Sequence, residues 1–218
     1  MNDKDIDDVM DILSEEVKNY DVPVIDLIKI HTNDPFKILI ATILSARTKD
    51  SVTAKVSENL FKKIKDFSDI EEIGLEELER LLYPVGFYKA KARNIKKIPG
   101  VLKQEFDGSI PEDVDELVKL PSVGRKTANL ISSVAFEKDA ICVDTHVHKI
   151  MNRLGYIKTK NPFDTEMALR NKLPRKHWRK VNNVFVAFGQ NLCVPVSPHC
   201  SRCPISDYCN RVGVKNSR

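Results

Sequence analysis

Four cysteines near the C-terminus constrain this chain more than any other feature. They are separated by six, two and five residues, so all of them fall within one 17-residue stretch. They are Cys193, Cys200, Cys203 and Cys209. Three prolines among them keep the stretch from forming a helix. The N-terminal segment MNDKDIDDVMDILSEEV lacks the apolar block of a signal peptide, so we expect an intracellular, reducing compartment in which thiols stay free. The run therefore predicts a metal site in a loop at 193–209.

Thiolates suit zinc and iron–sulfur clusters equally well in charge. Zinc ribbons prefer two C-x2-C pairs far apart in the chain, whereas this run has one such pair flanked by longer spacings. The pattern favours one four-iron four-sulfur cluster, with zinc or no metal as the alternatives. Cys142 stands apart in the apolar stretch AICVD and is expected to be a buried structural thiol.

Charge is distributed unevenly along the chain. Residues 1–118 hold 17 basic and 25 acidic residues, a net charge of −8, whereas residues 119–218 hold 18 and 6, a net charge of +12. Such asymmetry indicates that the second half faces a polyanion. A solvated Lys/Arg surface is the alternative interpretation.

Helical periodicity runs through nearly the whole chain, and alternating strand patterns with hairpin turns are missing. Asp34 and Pro35 predict an N-cap and a first helical position before apolar residues at helical spacing. Ser109 to Glu112 matches a capping box for a helix that buries Val114. The fold class is predicted to be all-α, with nine or ten helices. No run of 18 apolar residues occurs, so no membrane span is expected.

A second helix pair surrounds the sequence LPSVGRKTAN (120–129). Residues 111–136 are expected to form a helix, a short turn and a helix whose first turn contains Arg125 and Lys126. Cations are disfavoured at that position because a helix N-terminus carries partial positive charge. Two interpretations are open. Either an anion binds at this helix terminus, or one of the two side chains functions in its uncharged form. The upstream segment YPVGFYKAKARNI (83–95) matches the same pattern more weakly. An ordinary helix connection is the alternative interpretation of this segment.

These motifs together resemble the endonuclease III family, base-excision DNA glycosylases of the helix-hairpin-helix superfamily. The resemblance is carried by LPSVGRKTAN, by VDTHVHKIMNRLG (143–155) and by the four-cysteine run. The family resemblance extends to two further segments, PFKILIATILSARTKD (35–50) and VGFYKAKARNIKK (85–97). The similarity therefore covers nearly the whole chain.

The resemblance implies two helical lobes with the active site in the cleft between them. A helical barrel would span 28–138 and contain the helix-hairpin-helix at about 111–136. An iron–sulfur lobe would combine 1–27 with 139–218, and the cluster would serve a structural or redox-tuning role in the loop 193–209.

By resemblance, Lys126 is the catalytic lysine and Asp144 the second catalytic residue. A lysine amine attacks only when deprotonated, and the field of the helix terminus, the adjacent Arg125 and an expected partial burial would favour that form. Lys126 would attack C1′ of an extruded nucleotide, expel the base and form a Schiff base, after which β-elimination would nick the strand. Asp144 is also expected to cap the helix that follows it. A phosphate-binding lysine and a purely structural cap are the alternatives.

Seven further residues are expected to contact DNA: Ser122, Val123, Gly124, Arg125, Arg47, Phe87 and His146. The amides of the first three could hold a phosphate at the hairpin. By resemblance, Phe87 would enter the duplex, Arg47 would bond the orphan base where Gln is the expected residue, and His146 would face the gap left by the extruded nucleotide. A core position is the alternative for Phe87.

The predicted substrate is double-stranded DNA that contains oxidised or saturated pyrimidines or abasic sites. The protein is expected to act as a monomeric, bifunctional DNA glycosylase/AP lyase in the cytoplasm or nucleoid, without a membrane partner. A mismatch-specific adenine or thymine glycosylase is one alternative, although such relatives usually lack the lysine. A non-catalytic DNA-binding redox module is the other.

Overall fold

A computed structural model describes residues 3–20 and 24–218 of the chain. Every regular element in these ranges is helical, which confirms the all-α prediction, but thirteen α-helices are present rather than nine or ten. In chain order they are α1 (Asp3–Glu16), α2 (Val24–Thr32), α3 (Pro35–Ser45), α4 (Asp50–Lys63), α5 (Phe67–Glu72), α6 (Leu75–Leu82), α7 (Tyr88–Ile95), α8 (Ile98–Glu105), α9 (Val114–Leu117), α10 (Arg125–Ala135), α11 (Thr145–Leu154), α12 (Pro162–Lys172) and α13 (Val181–Asn191). None of the helices in these ranges combines the length and the apolar character that a membrane crossing requires.

The chain divides into two compact units. The central unit is Pro23–Lys138, and the terminal unit joins Met1–Val22 with Asp139–Arg218. The expected boundary between residues 27 and 28 lies within α2, and residues 21–23 lie outside the described part of the chain. The roles of the two units as barrel and iron–sulfur lobes stay predictions.

Helix α3 lies at the centre of the central unit. Its residues from Ile38 to Leu44 are all buried, and it packs against α2, α4, α7 and α10. As predicted, Asp34 is its N-cap and Pro35 its first residue, and the Asp34 carboxylate accepts a hydrogen bond from the N–H of Phe36 (2.9 Å). A local sequence rule therefore fixes where the central helix begins.

The helix before the hairpin begins later than the capping box predicts. Asp113 is the N-cap of α9, and its Oδ1 accepts the N–H groups of Asp115 (2.7 Å) and Glu116 (3.3 Å). Ser109 instead donates its own N–H to the carbonyl of Phe106, in the turn that follows α8. The predicted cap at Ser109 is therefore wrong, because Ser109 lies in the turn after α8 and Asp113 takes the N-cap position.

The terminal unit is built around the packing of α11 on α13 and of α1 on α13. Its core contains Phe185 and Phe188 of α13 together with apolar residues of α1 and α11. Trp178 packs at the edge of this core and donates its indole N–H to the carbonyl of Leu173 (2.8 Å). The last residues of this unit form the cysteine loop, which has no α-helix.

We predict that replacing Asp34 by Ala lowers the free energy of unfolding by about 1 kcal/mol, because the N-cap acceptor is lost. Asp34→Ser is the matched control, since serine caps equally well while it removes the partly exposed ion pair with Lys37. Urea denaturation followed by far-ultraviolet circular dichroism measures both variants. Equal losses in the two variants would contradict the capping contribution.

Candidate active site and cluster loop

The candidate nucleophile stands at an open helix terminus in the central unit. Gly124 is the N-cap of α10 and supplies no side-chain acceptor, and Arg125 and Lys126 are the first two helical residues, as predicted. The first N–H groups of a helix have no intrahelical acceptor, so this end is suited to an anion. Arg125 donates to the Oδ1 atom of Asp115 (3.1 Å).

The expected partial burial of Lys126 is wrong, since its residue is exposed. The buried face of α10 contains Ala128 and Ile131. Asn129 and Ser133 share a helix face with Lys126 and are also buried, but Lys126 lies at the end of the helix and remains exposed. Lys126 therefore combines an exposed position in the first turn of α10 with the neighbouring cation Arg125.

The turn before α10 is tied to the upstream helix. Ser122 has a left-handed backbone (φ 68°), and its Oγ accepts a hydrogen bond from Nδ2 of Asn94 at the end of α7 (2.7 Å). The N–H of Val123 donates to the carbonyl of Leu120 (3.0 Å), and the Val123 side chain is buried. The Val123 amide is thus already bonded within the turn, its contact with a phosphate stays a prediction, and Ser122 and Gly124 are exposed.

Asp144 is the N-cap of α11 in the terminal unit. Its Oδ1 accepts the N–H groups of His146 (2.8 Å) and Val147 (2.9 Å), which holds the carboxylate in one orientation. His146 is half-buried, and its ring packs so closely on Gly189 of α13 that a Cβ there would collide with it. Cys142, two residues before the cap, is buried as predicted.

Arg47 and Phe87 lie side by side in the central unit. The Phe87 side chain is 64% exposed, so its alternative interpretation as a core residue is wrong. The Arg47 guanidinium carbon lies 5.6 Å from the centroid of the Phe87 ring. Both residues have left-handed backbones, with φ of 55° and 59° respectively.

The four clustered cysteines are all free and line one cavity in the terminal unit, together with apolar residues such as Ile150, Phe188 and Ile205. In the described residues no three His, Cys, Asp or Glu side chains close around a single ion, so the thiols border a cavity rather than meet at one point. Burial, followed by proximity to the other cysteines, raises the pKa of the Cys203 thiol to about 11. Burial also raises the pKa of Cys193 and Cys209. The raised pKa values of these three thiols, which line one cavity with Cys200, fit a cationic cluster, because bound metal stabilises thiolates.

Arg153 of α11 holds the start of this loop. Its buried guanidinium donates to the carbonyls of Cys193 (3.1 Å), Val194 (3.0 Å) and Pro195 (2.8 Å), and to the Cys193 sulfur (3.2 Å). The charged guanidinium thus supplies the carbonyls at the start of the loop with the hydrogen-bond donors that a helix would otherwise provide. Sequence reasoning missed Arg153, because its partners are mostly backbone carbonyls about 40 residues later.

The structure thus brings Arg47 to Phe87 and gathers the four cysteines around one cavity. Lys126 opens a helix of the central unit and Asp144 caps a helix of the terminal unit. Lys91 of α7, which sequence reasoning also missed, is buried next to the Arg47 loop. Its only sequence signal is weak: it precedes Ala92 and Ile95 on a helix otherwise rich in exposed cations.

Comparison with known proteins identifies the family. The model of the HhH-GPD superfamily of base excision DNA repair proteins matches residues 40–175, and that of the iron–sulfur binding domain of endonuclease III matches residues 193–209. Endonuclease III of Thermotoga maritima is 43% identical over 176 residues, which cover 81% of this chain and 83% of that protein. The chain belongs to the endonuclease III family. It is accordingly a DNA glycosylase and lyase of base excision repair that binds DNA and carries a four-iron four-sulfur cluster.

Solved structures support this membership. A trapped covalent intermediate of endonuclease III with DNA is 35% identical, with a TM-score of 0.85 and coverage of 97% of both chains. A thermostable thymine-DNA glycosylase is 25% identical, with a TM-score of 0.83 over 95% of this chain and 96% of that one. The family fold is therefore matched along nearly the whole chain.

We predict that Arg153→Met lowers the iron content per protein and the visible absorbance of the cluster. The substitution leaves three partly buried loop carbonyls without their donor, and an unsatisfied acceptor costs up to about 1–3 kcal/mol when it is shielded from water. Arg175→Met is the control, since Arg175 is exposed in the same unit. Normal iron content in Arg153→Met would show that the loop holds its cluster without this residue.

Proposed function

We propose that this endonuclease III-family enzyme removes oxidised or saturated pyrimidines from duplex DNA and then cuts the strand on the 3′ side of the abasic site. The observation that carries the proposal is the position of Lys126, a lysine in the first turn of a helix whose N-cap offers no side chain. The relative that was trapped as a covalent intermediate with DNA supports a nucleophilic mechanism.

The neutral amine of Lys126 would attack C1′ of the extruded nucleotide. The bond from C1′ to the base breaks, and the base leaves with its electron pair and takes up a proton. Opening of the sugar ring gives a Schiff base between C1′ and Nζ. Loss of a C2′ proton then expels the 3′ phosphate by β-elimination, and hydrolysis returns the amine.

Asp144 would stabilise positive charge that develops at the sugar and accept or return protons during these steps. Its two cap hydrogen bonds both end on Oδ1 and fix the carboxylate before substrate binds. A pre-oriented charge stabilises a transition state without a reorganisation cost at the moment of reaction.

DNA would be held mainly through its backbone. The exposed turn at Ser122 and Gly124, with the open terminus of α10, suits a phosphate. Arg125 would add charge there, His146 would face the space left by the extruded nucleotide, and Arg47 and Phe87 would enter the duplex. A base must leave the stack before it can be attacked, and side chains that fill the hole lower the cost of extrusion.

Cys193, Cys200, Cys203 and Cys209 would hold the four-iron four-sulfur cluster. Bound there, the cluster would cross-link a loop that otherwise has little regular structure. No step of the reaction needs the cluster. The protein would act on damaged DNA as a monomer inside the cell.

A mismatch thymine glycosylase is the second candidate, favoured by the 25% identity to a thymine-DNA glycosylase. The two candidates differ in their products, because a lysine nucleophile leaves a cut strand whereas simple hydrolysis leaves an intact abasic strand. We expect release of thymine glycol from a duplex with strand scission in the same incubation, and little release of thymine opposite guanine or adenine opposite guanine. Base release from a mismatch without scission would contradict the proposal.

Replacing Asp144 by Asn separates its two roles. Asparagine caps helices as well as aspartate does, so the thermal midpoint should stay near that of the wild type. Base release should fall about a hundredfold because the negative charge is lost. Single-turnover kinetics and DNA affinity measured on the same duplex test this expectation. A parallel loss of binding and catalysis would instead assign Asp144 a structural role.

A further inference from the structure

Lys91 of α7 is a buried cation that the proposed chemistry does not use. Only 7% of the residue is exposed. Its Nζ donates to the carbonyls of Leu44 (2.8 Å) and Ala46 (2.6 Å) and to Oγ1 of Thr48 (3.3 Å). Three acceptors match the three N–H donors of a charged amine. Burial lowers the pKa of Lys91 to about 8, so the amine still carries its proton at neutral pH.

The acceptors of Lys91 lie at the end of α3 and in the α3–α4 loop, residues 46–49. Helix α3 ends at Ser45, so the carbonyl of Leu44 belongs to its last turn, where carbonyls lack intrahelical donors. A cation at this position compensates both the missing donors and the negative end of the helix dipole. Lys91 thereby anchors the α3–α4 loop to α7.

Thr48 extends the connection to the α6–α7 loop, residues 83–87. Its Oγ1 accepts the N–H of Gly86 (3.1 Å) in addition to the Lys91 amine. The two loops approach so closely that a Cβ on Gly86 would lie 2.5 Å from the carbonyl oxygen of Arg47. Glycine is therefore required at residue 86, where the two loops are in direct contact.

Each of these loops presents one strained residue to solvent. Arg47 and Phe87 both have left-handed backbones, which cost non-glycine residues on the order of 1 kcal/mol or more and persist only where the surroundings enforce them. Their side chains are exposed and lie against each other. The hydrogen bonds that Lys91 and Thr48 make to both loops supply the constraint that these two conformations need.

We propose that Lys91 is a positioning residue that links the two loops so that Arg47 and Phe87 enter the DNA as a pre-assembled pair. This inference rests on the proposed function, in which both side chains occupy the duplex at the extruded nucleotide. Two independent loops would each lose conformational freedom when DNA binds, whereas linked loops have lost it on folding. The pair is then available at the moment when the base leaves the stack.

Lys96 provides a matched control within the same unit. Its Nζ donates to the carbonyls of Ile70 (2.8 Å), Glu71 (3.0 Å) and Ile73 (2.8 Å) at the end of α5. It is therefore also a lysine with three acceptors at a helix C-terminus, but its partners lie outside the two loops that carry Arg47 and Phe87. A general loss of stability should affect both lysine variants, and a loss of positioning should affect only one.

The test compares Lys91→Met with Lys96→Met on a thymine-glycol duplex under single-turnover conditions. We expect Lys91→Met to release base roughly tenfold more slowly or worse, because small misplacements of positioned groups carry large rate costs. Lys96→Met should release base at the wild-type rate. Thr48→Val keeps the lysine but removes the hydrogen bond to the Gly86 N–H, and it should also slow base release. This variant tests the inference even if Lys91→Met fails to fold.

A Phe87→Ala background separates positioning from stability. If Lys91 acts through the paired side chains, Lys91→Met should add little to the loss already caused by Phe87→Ala. Additive losses, or equal losses in the Lys91 and Lys96 variants, would overturn the inference while leaving the proposed function intact. Failure of the wild type to release thymine glycol would instead overturn the proposed function and this inference with it.

Discussion

The open N-terminus of α10 is the constraint on which the account depends. The glycine cap offers no side-chain acceptor to the first N–H groups of the helix, and the next two residues are both cations. This arrangement costs stability in isolation, because like signs of charge are brought together. It becomes favourable when a phosphate approaches or when one of the amines gives up its proton. A lyase that acts on a DNA strand needs a binding site for a phosphate and a deprotonated amine as its nucleophile.

Other parts of the molecule hold irregular backbone in place with single buried cations. Arg153 donates to three successive carbonyls at the start of the cysteine loop, and Lys91 donates to the end of α3 and the loop after it. In both places the chain leaves helical structure, and partly buried carbonyls there have no helical N–H donor. A charged side chain satisfies several of them at once and fixes their geometry. The segments proposed to bind DNA or the cluster are thereby kept rigid without belonging to a helix.

Rules that depend only on neighbouring residues predicted much of this fold. Features that depend on contacts between distant parts of the chain were harder to predict. Asp34 and Pro35 mark the start of α3 because a cap depends only on its nearest neighbours. The cysteine spacing likewise indicated a cluster without any knowledge of the fold. The predicted cap at Ser109 was wrong because the nearby Asp113 is also a good N-cap residue and occupies that position. The predicted burial of Lys126 was wrong because Lys126 lies at the exposed end of its helix. Lys91 had only a weak sequence signal, since its partner with the shortest hydrogen bond, the carbonyl of Ala46, lies 45 residues away and the lysines of KAKAR suggest an exposed face.

Chemical trapping of the enzyme on its substrate tests the central claim most directly. Borohydride added during the reaction with an abasic duplex reduces a Schiff base to a stable amine, and proteolysis with mass spectrometry then locates the modified residue. We predict a DNA adduct on the peptide that contains Lys126, and no adduct in a Lys126→Gln variant that still binds DNA. An adduct on another amine, or an undiminished adduct in that variant, would contradict the assignment.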